Sequence, residues 1–273
     1  MKTFLSTVLG VLIAGQIIAQ QVIKLWETQA VLDVPESVLC DDSVVYVSCV
    51  NGNPADKDNN GYIARLATDG KIMQQHWFDG LHAPKGMAVH GALLYVSDID
   101  RVAVIARDKG KLLRFIDIPG TKFLNDVTVS GQGVVAVSDM SDQAIYLIKG
   151  KKAELLLKNE KLDHVNGLYW EKNTLYVGVA NAILAVDIET RNVTTVVENT
   201  GGIDGLERFE GNRFLISDWK GKVQVVGPDV PPVEVLNVAA EKYNAADIDY
   251  SAKTHILFIP TFFGNSVAAY RVE

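Results

Sequence analysis

Six polar residues, Glu36, Lys85, Asn125, Asn166, Asp204 and Asp247, stand at the same point of six successive segments. The segments read PESVLCDDSVVYVSC, PKGMAVHGALLYVSD, NDVTVSGQGVVAVSD, VNGLYWEKNTLYVGV, IDGLERFEGNRFLIS and ADIDYSAKTHILFIP, aligned on the apolar run that follows. Carboxylates and amides dominate the set, and Lys85 is its only base. A purely structural set needs no such assortment, whereas converging oxygen acceptors are what a hard cation requires.

Convergence demands a fold that brings the segments together. Their period is roughly 40 residues, in the range of propeller blades and of helical repeats. Each unit is a short apolar strand, a Gly or Asn/Asp turn, and a second strand rich in Val, Ile and Tyr. No useful length of helical period occurs. The chain is therefore expected to be all-β, a closed six-bladed β-propeller. The first strand of each blade lines the central channel, so the six residues form one ring at one channel end. The segment Val22 to Thr28 precedes the first repeat and has strand character, and it is expected to close the ring as the outer strand of the last blade.

The fragments PES with Glu36, LND with Asn125, VNG with Asn166 and IDG with Asp204 resemble the metal site of the gluconolactonase, regucalcin (senescence marker protein) and luciferin-regenerating enzyme superfamily. The resemblance runs through the repeats over nearly the whole chain after its first 20 residues. It implies a divalent cation at the top of the propeller, with Glu36, Asn166 and Asp204 as direct ligands. Asn125 is then a fourth ligand or a residue that orients substrate. The donor chemistry agrees. Two carboxylates and two amide oxygens, with a formal charge of about -2, suit Ca²⁺ first, and also Mg²⁺ or Mn²⁺. The competing reading is a ring of hydrogen bonds that closes the channel, since Asn and Asp before Gly also cap turns.

Lys85 and Asp247 depart from the pattern and would flank Glu36. Lys85 would weaken a cation site by like-charge repulsion, pair with Asp247 or Glu36, bind an anionic substrate group, or fill the metal position with its own ammonium. The activity implied by the resemblance is lactone or ester hydrolysis, with a cation polarising the carbonyl. Asp204 or Asp247 is the expected base for the attacking water.

Further residues fall on loops of the same face. His82 and His164 stand just before ring positions and are candidates for substrate contact or proton transfer, or are simply solvated turn residues. Trp219, with Phe262 and Phe263, is a candidate pocket wall. The recurring pairs Ser97-Asp98, Ser138-Asp139 and Ser217-Asp218 read as structural turns made by the Asp side chain. The loop NGNPADKDNNG opens like a calcium loop, but Ala67 stands where the closing acid belongs, so it reads as a solvated turn.

Residues 1–20, with an early Lys, an apolar run and small residues before Gln20, read as a secretory signal peptide. The mature chain, 21–273, is expected to be one propeller domain, exported to the periplasm or secreted, with no membrane attachment after leader removal. The net charge of -7 and the lack of a basic aromatic patch argue against a nucleic-acid partner. The two cysteines, Cys40 and Cys49, fall in the first repeat, with unpaired thiols the favoured reading and a disulfide between them the alternative. No G-x-S-x-G or Walker motif occurs. The reading favoured is an exported, cation-dependent, lactonase-like ester hydrolase acting on a small, sugar-derived molecule. The alternative is a non-catalytic propeller that binds a small ligand or a partner protein through the same face.

Overall fold

In the computed structural model, residues 20–273 are described, and the expected leader lies outside them apart from Gln20. The chain forms six four-stranded antiparallel sheets, each a blade of a β-propeller. No α-helix occurs among the described residues, and three short 3₁₀ turns (Glu160–Leu162, Ala239–Glu241 and Phe262–Gly264) interrupt the strands.

Blade one runs Pro35–Asp41, Val44–Cys49, Gly61–Ala67 and Ile72–Leu81. The inner strands of blades two to five are Pro84–His90, Leu124–Val129, Leu168–Glu171 and Leu206–Arg208. Blade six is built from both ends of the described chain. Its strands Asp249–Ser251, Ile256–Pro260 and Val267–Val272 are completed by Val22–Glu27. Val22 pairs with Val272 and Glu27 with Ala268, so the ring closes as the sequence led us to expect. Trp26 of that strand lies against Phe258 at 6.0 Å between ring centroids, and its Nε1 donates to the Thr68 carbonyl at 3.0 Å.

Apolar side chains fill the spaces between blades. Phe209, Leu215, Tyr250 and Leu257 pack blade five against blade six, and Val38, Val47, Tyr62, Phe258 and Val267 pack blade one against blade six. Near the axis the inner strands crowd together. A Cβ on Gly205 would lie 2.5 Å from the Ile248 nitrogen, inside any real contact distance.

The recurring serines hold this crowded region together. Ser48, Ser138 and Ser217 accept from the backbone N–H groups of Ser37, Asp126 and Gly205 at 3.0, 2.9 and 2.8 Å. Ser217 also donates across the blade boundary to the Ala246 carbonyl at 2.6 Å, and Ser97 likewise bonds to the Asn125 carbonyl. Two of the following aspartates fix the entry to the inner strands of blades two and three. Asp98 Oδ1 accepts from His82 N and Ala83 N at 2.8 and 3.0 Å, and Asp139 accepts from Lys122 N and Phe123 N at 2.8 and 3.1 Å.

These bonds correct the alignment of the sixth repeat. Asn166 N donates to Gly178 O, Asp204 N to Ser217 O, and Ala246 N to Pro260 O. The ring residue of blade six is therefore Ala246. Asp247 sits one residue further along, equivalent to Ser37, Asp126 and Gly205, and forms a parallel bridge with Ser37. A one-residue step along a strand reverses the side-chain direction. Asp247 thus accepts from Ser37 Oγ at 2.6 Å and lines a separate cavity with Asp126, Glu207 and Asp249.

Candidate functional site

Each remaining ring residue enters the channel from its inner strand or from the residues just before it. Glu36, Lys85, Asn125, Asn166 and Asp204 all line one cavity of about 720 Å³, and all five are nearly fully buried. Asn166 Nδ2 donates to Asp204 Oδ1 at 2.6 Å. Glu36 Oε2 and Asn166 Oδ1 are buried oxygens with no hydrogen-bond partner. A buried acceptor left unmatched is costly, and a carboxylate more so.

The electrostatics are equally unbalanced. Burial pushes the Glu36 carboxyl well above its ordinary range, and the nearby Asp204 charge pushes the same way, while Lys85 opposes them. Burial pushes Asp204 up to about 7 against the stabilising Asn166 amide. Both shifts record carboxylates short of positive charge.

Lys85 supplies little of it. Its Nζ donates to the Pro54 and Ala83 carbonyls at 3.0 and 2.9 Å and lies 4.3 Å from the centre of the Phe123 ring. Its hydrogen bonds go to these carbonyls and not to Glu36 or Asp247, so of the alternatives open from the sequence the ion pair is not the one formed. Burial lowers its pKa to about 8, and the Glu36 and Asp98 charges work against that shift.

The donor set fits a hard divalent cation. Glu36 and Asp204 offer carboxylate oxygens, Asn166 offers an amide oxygen without a partner, and Asn125 lines the same cavity. Asn125 Nδ2 makes only a 3.9 Å contact to Met140 Sδ. Among the described residues no three His, Cys, Asp or Glu side chains gather as metal ligands, so a cation here depends on the two amides.

The structure brings His164 and Trp219 to the cavity but leaves His82 out of its lining. His164 is exposed at the rim, 2.9 Å from Asp163 Oδ1. His82 is drawn aside, its Nδ1 accepting from Asn59 N at 3.3 Å. Asp247 faces the other cavity, which corrects its expected role as a base at this site. Phe123, Met140 and Ile203 complete the wall and were not foreseen. Met140 and Trp219 directly follow Ser-Asp pairs, so the residue after that pair was a legible signal for two wall positions. The loop with Asp56 and Asp58 is exposed and closes on itself, Asn60 Nδ2 donating to Asp58 Oδ2 at 2.7 Å. Cys40 and Cys49 are free thiols.

No family model matches the sequence, and no curated protein does. Solved structures match its shape. A gluconolactonase from Xanthomonas campestris superposes with a TM-score of 0.69 at 16% identity, over 90% of this chain and 89% of that one. A catalytically inactive virginiamycin B lyase from Staphylococcus aureus, solved with quinupristin, gives 0.64 at 13% identity over 92% and 99%. A chain of a nidogen/laminin complex gives 0.59 at 18% over 72% and 76%. The chain therefore shares its β-propeller fold with proteins that include a gluconolactonase and streptogramin B lyases.

Proposed function

We propose that this propeller is an exported, divalent-cation-dependent hydrolase of lactones or esters. The observation that carries the reading is the pair of buried, unmatched oxygens, Glu36 Oε2 and Asn166 Oδ1, beside Asp204 on the floor of a ligand-sized cavity. Glu36, Asn166 and Asp204 would hold the cation, with Asn125 as a fourth oxygen donor or a substrate-orienting amide. A cation bound there, Ca²⁺ by donor type, supplies Lewis-acid polarisation of a carbonyl.

The chain's own groups supply the remainder. Water adds to the carbonyl carbon, and its proton passes to the Asp204 carboxylate. The C–O bond to the leaving oxygen then breaks, and that oxygen takes up the proton. The Asn166 amide, bonded to Asp204 Oδ1, fixes the carboxylate's orientation. Lys85 braces the wall through two backbone carbonyls.

Metal content of the purified protein, measured by mass spectrometry, tests this. About one Ca²⁺, Mg²⁺ or Mn²⁺ per chain, lost in a Glu36→Gln/Asp204→Asn double variant, is the expected result. No metal after soaking at millimolar concentration would overturn it. The exposed aromatic rim favours a second reading, a binding propeller without chemistry. Ligand binding with no turnover across an ester and lactone screen would establish that one.

A further inference from the structure

The cavity has two chemically distinct halves. Its floor is polar, as described. Its wall and rim are mainly apolar, with Phe123, Met140, Ile203, Trp219, Phe262 and Phe263, alongside His164, Asp218 and Lys220. Trp219 packs edge-on against Phe262 and Phe263 at 5.6 and 5.8 Å, and those two rings meet at 4.8 Å. Yet Trp219 remains 46% exposed and Phe263 65% exposed. Such a cluster of aromatic rings left in water at the mouth of a cavity marks a surface that ligand covers.

The polar groups are poorly placed for a polyhydroxylated ring. A sugar lactone carries a hydroxyl on most carbons, and each one buried needs a partner. Beyond the floor, the charged or titratable side chains of the lining are His164, Asp218 and Lys220. Asp218 at the rim already accepts from Lys222 N at 3.2 Å, and two N–H bonds of Lys85 are committed to Pro54 and Ala83. Hydroxyls facing Phe123, Met140 and Ile203 would lose water and gain nothing. An apolar substituent there gains free energy in proportion to the area it buries.

We infer that the substrate is a lipophilic lactone or ester, with an aromatic or medium-length alkyl substituent on the aromatic wall and its carbonyl at the Glu36, Asn166 and Asp204 floor. The carbonyl orientation rests on the hydrolase reading, whereas the ligand class rests on the wall alone. This departs from the sugar-derived substrate expected from the sequence.

The test uses the whole mature protein with three probes: dihydrocoumarin, γ-decanolactone and glucono-δ-lactone. Turnover is followed by acid release, and binding by Trp fluorescence and calorimetry. The inference expects kcat/KM for either lipophilic lactone to exceed that for glucono-δ-lactone at least tenfold. It also expects Trp219→Ala/Phe263→Ala to raise KM for the lipophilic lactone about tenfold while kcat changes little, the signature of lost binding contacts away from the reacting bond. Binding of a lipophilic lactone without hydrolysis, weakened by the same variant, would uphold the ligand class while removing the hydrolase reading. Preferred turnover of glucono-δ-lactone would overturn the inference while leaving the hydrolase in place. Failure to bind either lipophilic probe would also overturn it.

Discussion

The ammonium of Lys85 reaches the carbonyl of Pro54, 31 residues earlier in the chain, at a distance of 3.0 Å. Lys85 stands on the inner strand of blade two, and Pro54 on the long loop between the second and third strands of blade one. A ring position that carries an acid or an amide in four other blades here carries a brace that holds a loop beside the cavity.

Replacing Lys85 with Met removes that brace and a positive charge together. Hydrogen exchange should rise across residues 51–60, and stability should fall by roughly 1–3 kcal/mol because the Pro54 and Ala83 carbonyls lose their donor. The proposed cation site should respond in the opposite sense. With the like charge gone, Ca²⁺ affinity measured by calorimetry should tighten by roughly three- to tenfold. Unchanged exchange in the loop would show that Lys85 is not what holds it.

Close approach at the axis predicts an unequal pair of glycine substitutions. Gly205→Ala forces a methyl against the Ile248 nitrogen, where backbone must move. Thermal unfolding should register a loss of about 1–3 kcal/mol, typical of overpacking. Gly131→Ala meets nothing within 4 Å and has no positive φ, so its melting temperature should hold or rise slightly. Equal effects of the two substitutions would contradict the packing described.

The carboxyl groups of the opposite cavity make stability depend on pH. Burial raises Asp249 to about 6, although its Oδ2 accepts from Cys40 N, and burial with the Asp249 charge raises Glu207 well above its usual value. Carboxyl groups with raised folded-state values bind more protons folded than unfolded. Their contribution to stability is therefore full below the unfolded value near 4 and is lost as pH rises through the folded value, near 6 for Asp249. Asp249→Asn should leave the melting temperature nearly unchanged at pH 4 and raise it by roughly 2 °C at pH 7.5. Equal shifts at both pH values would count against the raised carboxyl.

The architecture was legible because repetition supplied six independent readings of one unit. Strand, turn and strand recurred with Val, Ile and Tyr in the second strand, and the outer strand at Val22–Glu27 was the piece still needed to complete blade six. The ring was legible at Glu36, Lys85, Asn125, Asn166 and Asp204, which all line the cavity. It failed at Asp247. In the segment AADIDY the acid nearest the expected position belongs to the other face, and Ala246 carries the ring position without a polar signal. The destination of Lys85 was also hidden, since its two acceptors are backbone carbonyls that no residue type announces. The Ser-Asp pairs were readable as turns through their aspartates, but the serine bonds across blades depend on contacts that only the closed ring creates.

Gln21 and Glu273 exchange both backbone hydrogen bonds, each at 2.9 Å, beside the strand pairing that seals blade six. During synthesis this sets a waiting time. Val22–Glu27 has no partner until Val267–Val272 has left the ribosome, at a pace of about 5–20 residues per second. Five blades can mature in order while Val22 and Trp26 wait for the core they pack against. The finished ring thus reports that synthesis has passed the strand Val267–Val272, because a chain stopped before it lacks the edge onto which Val22–Glu27 must fold.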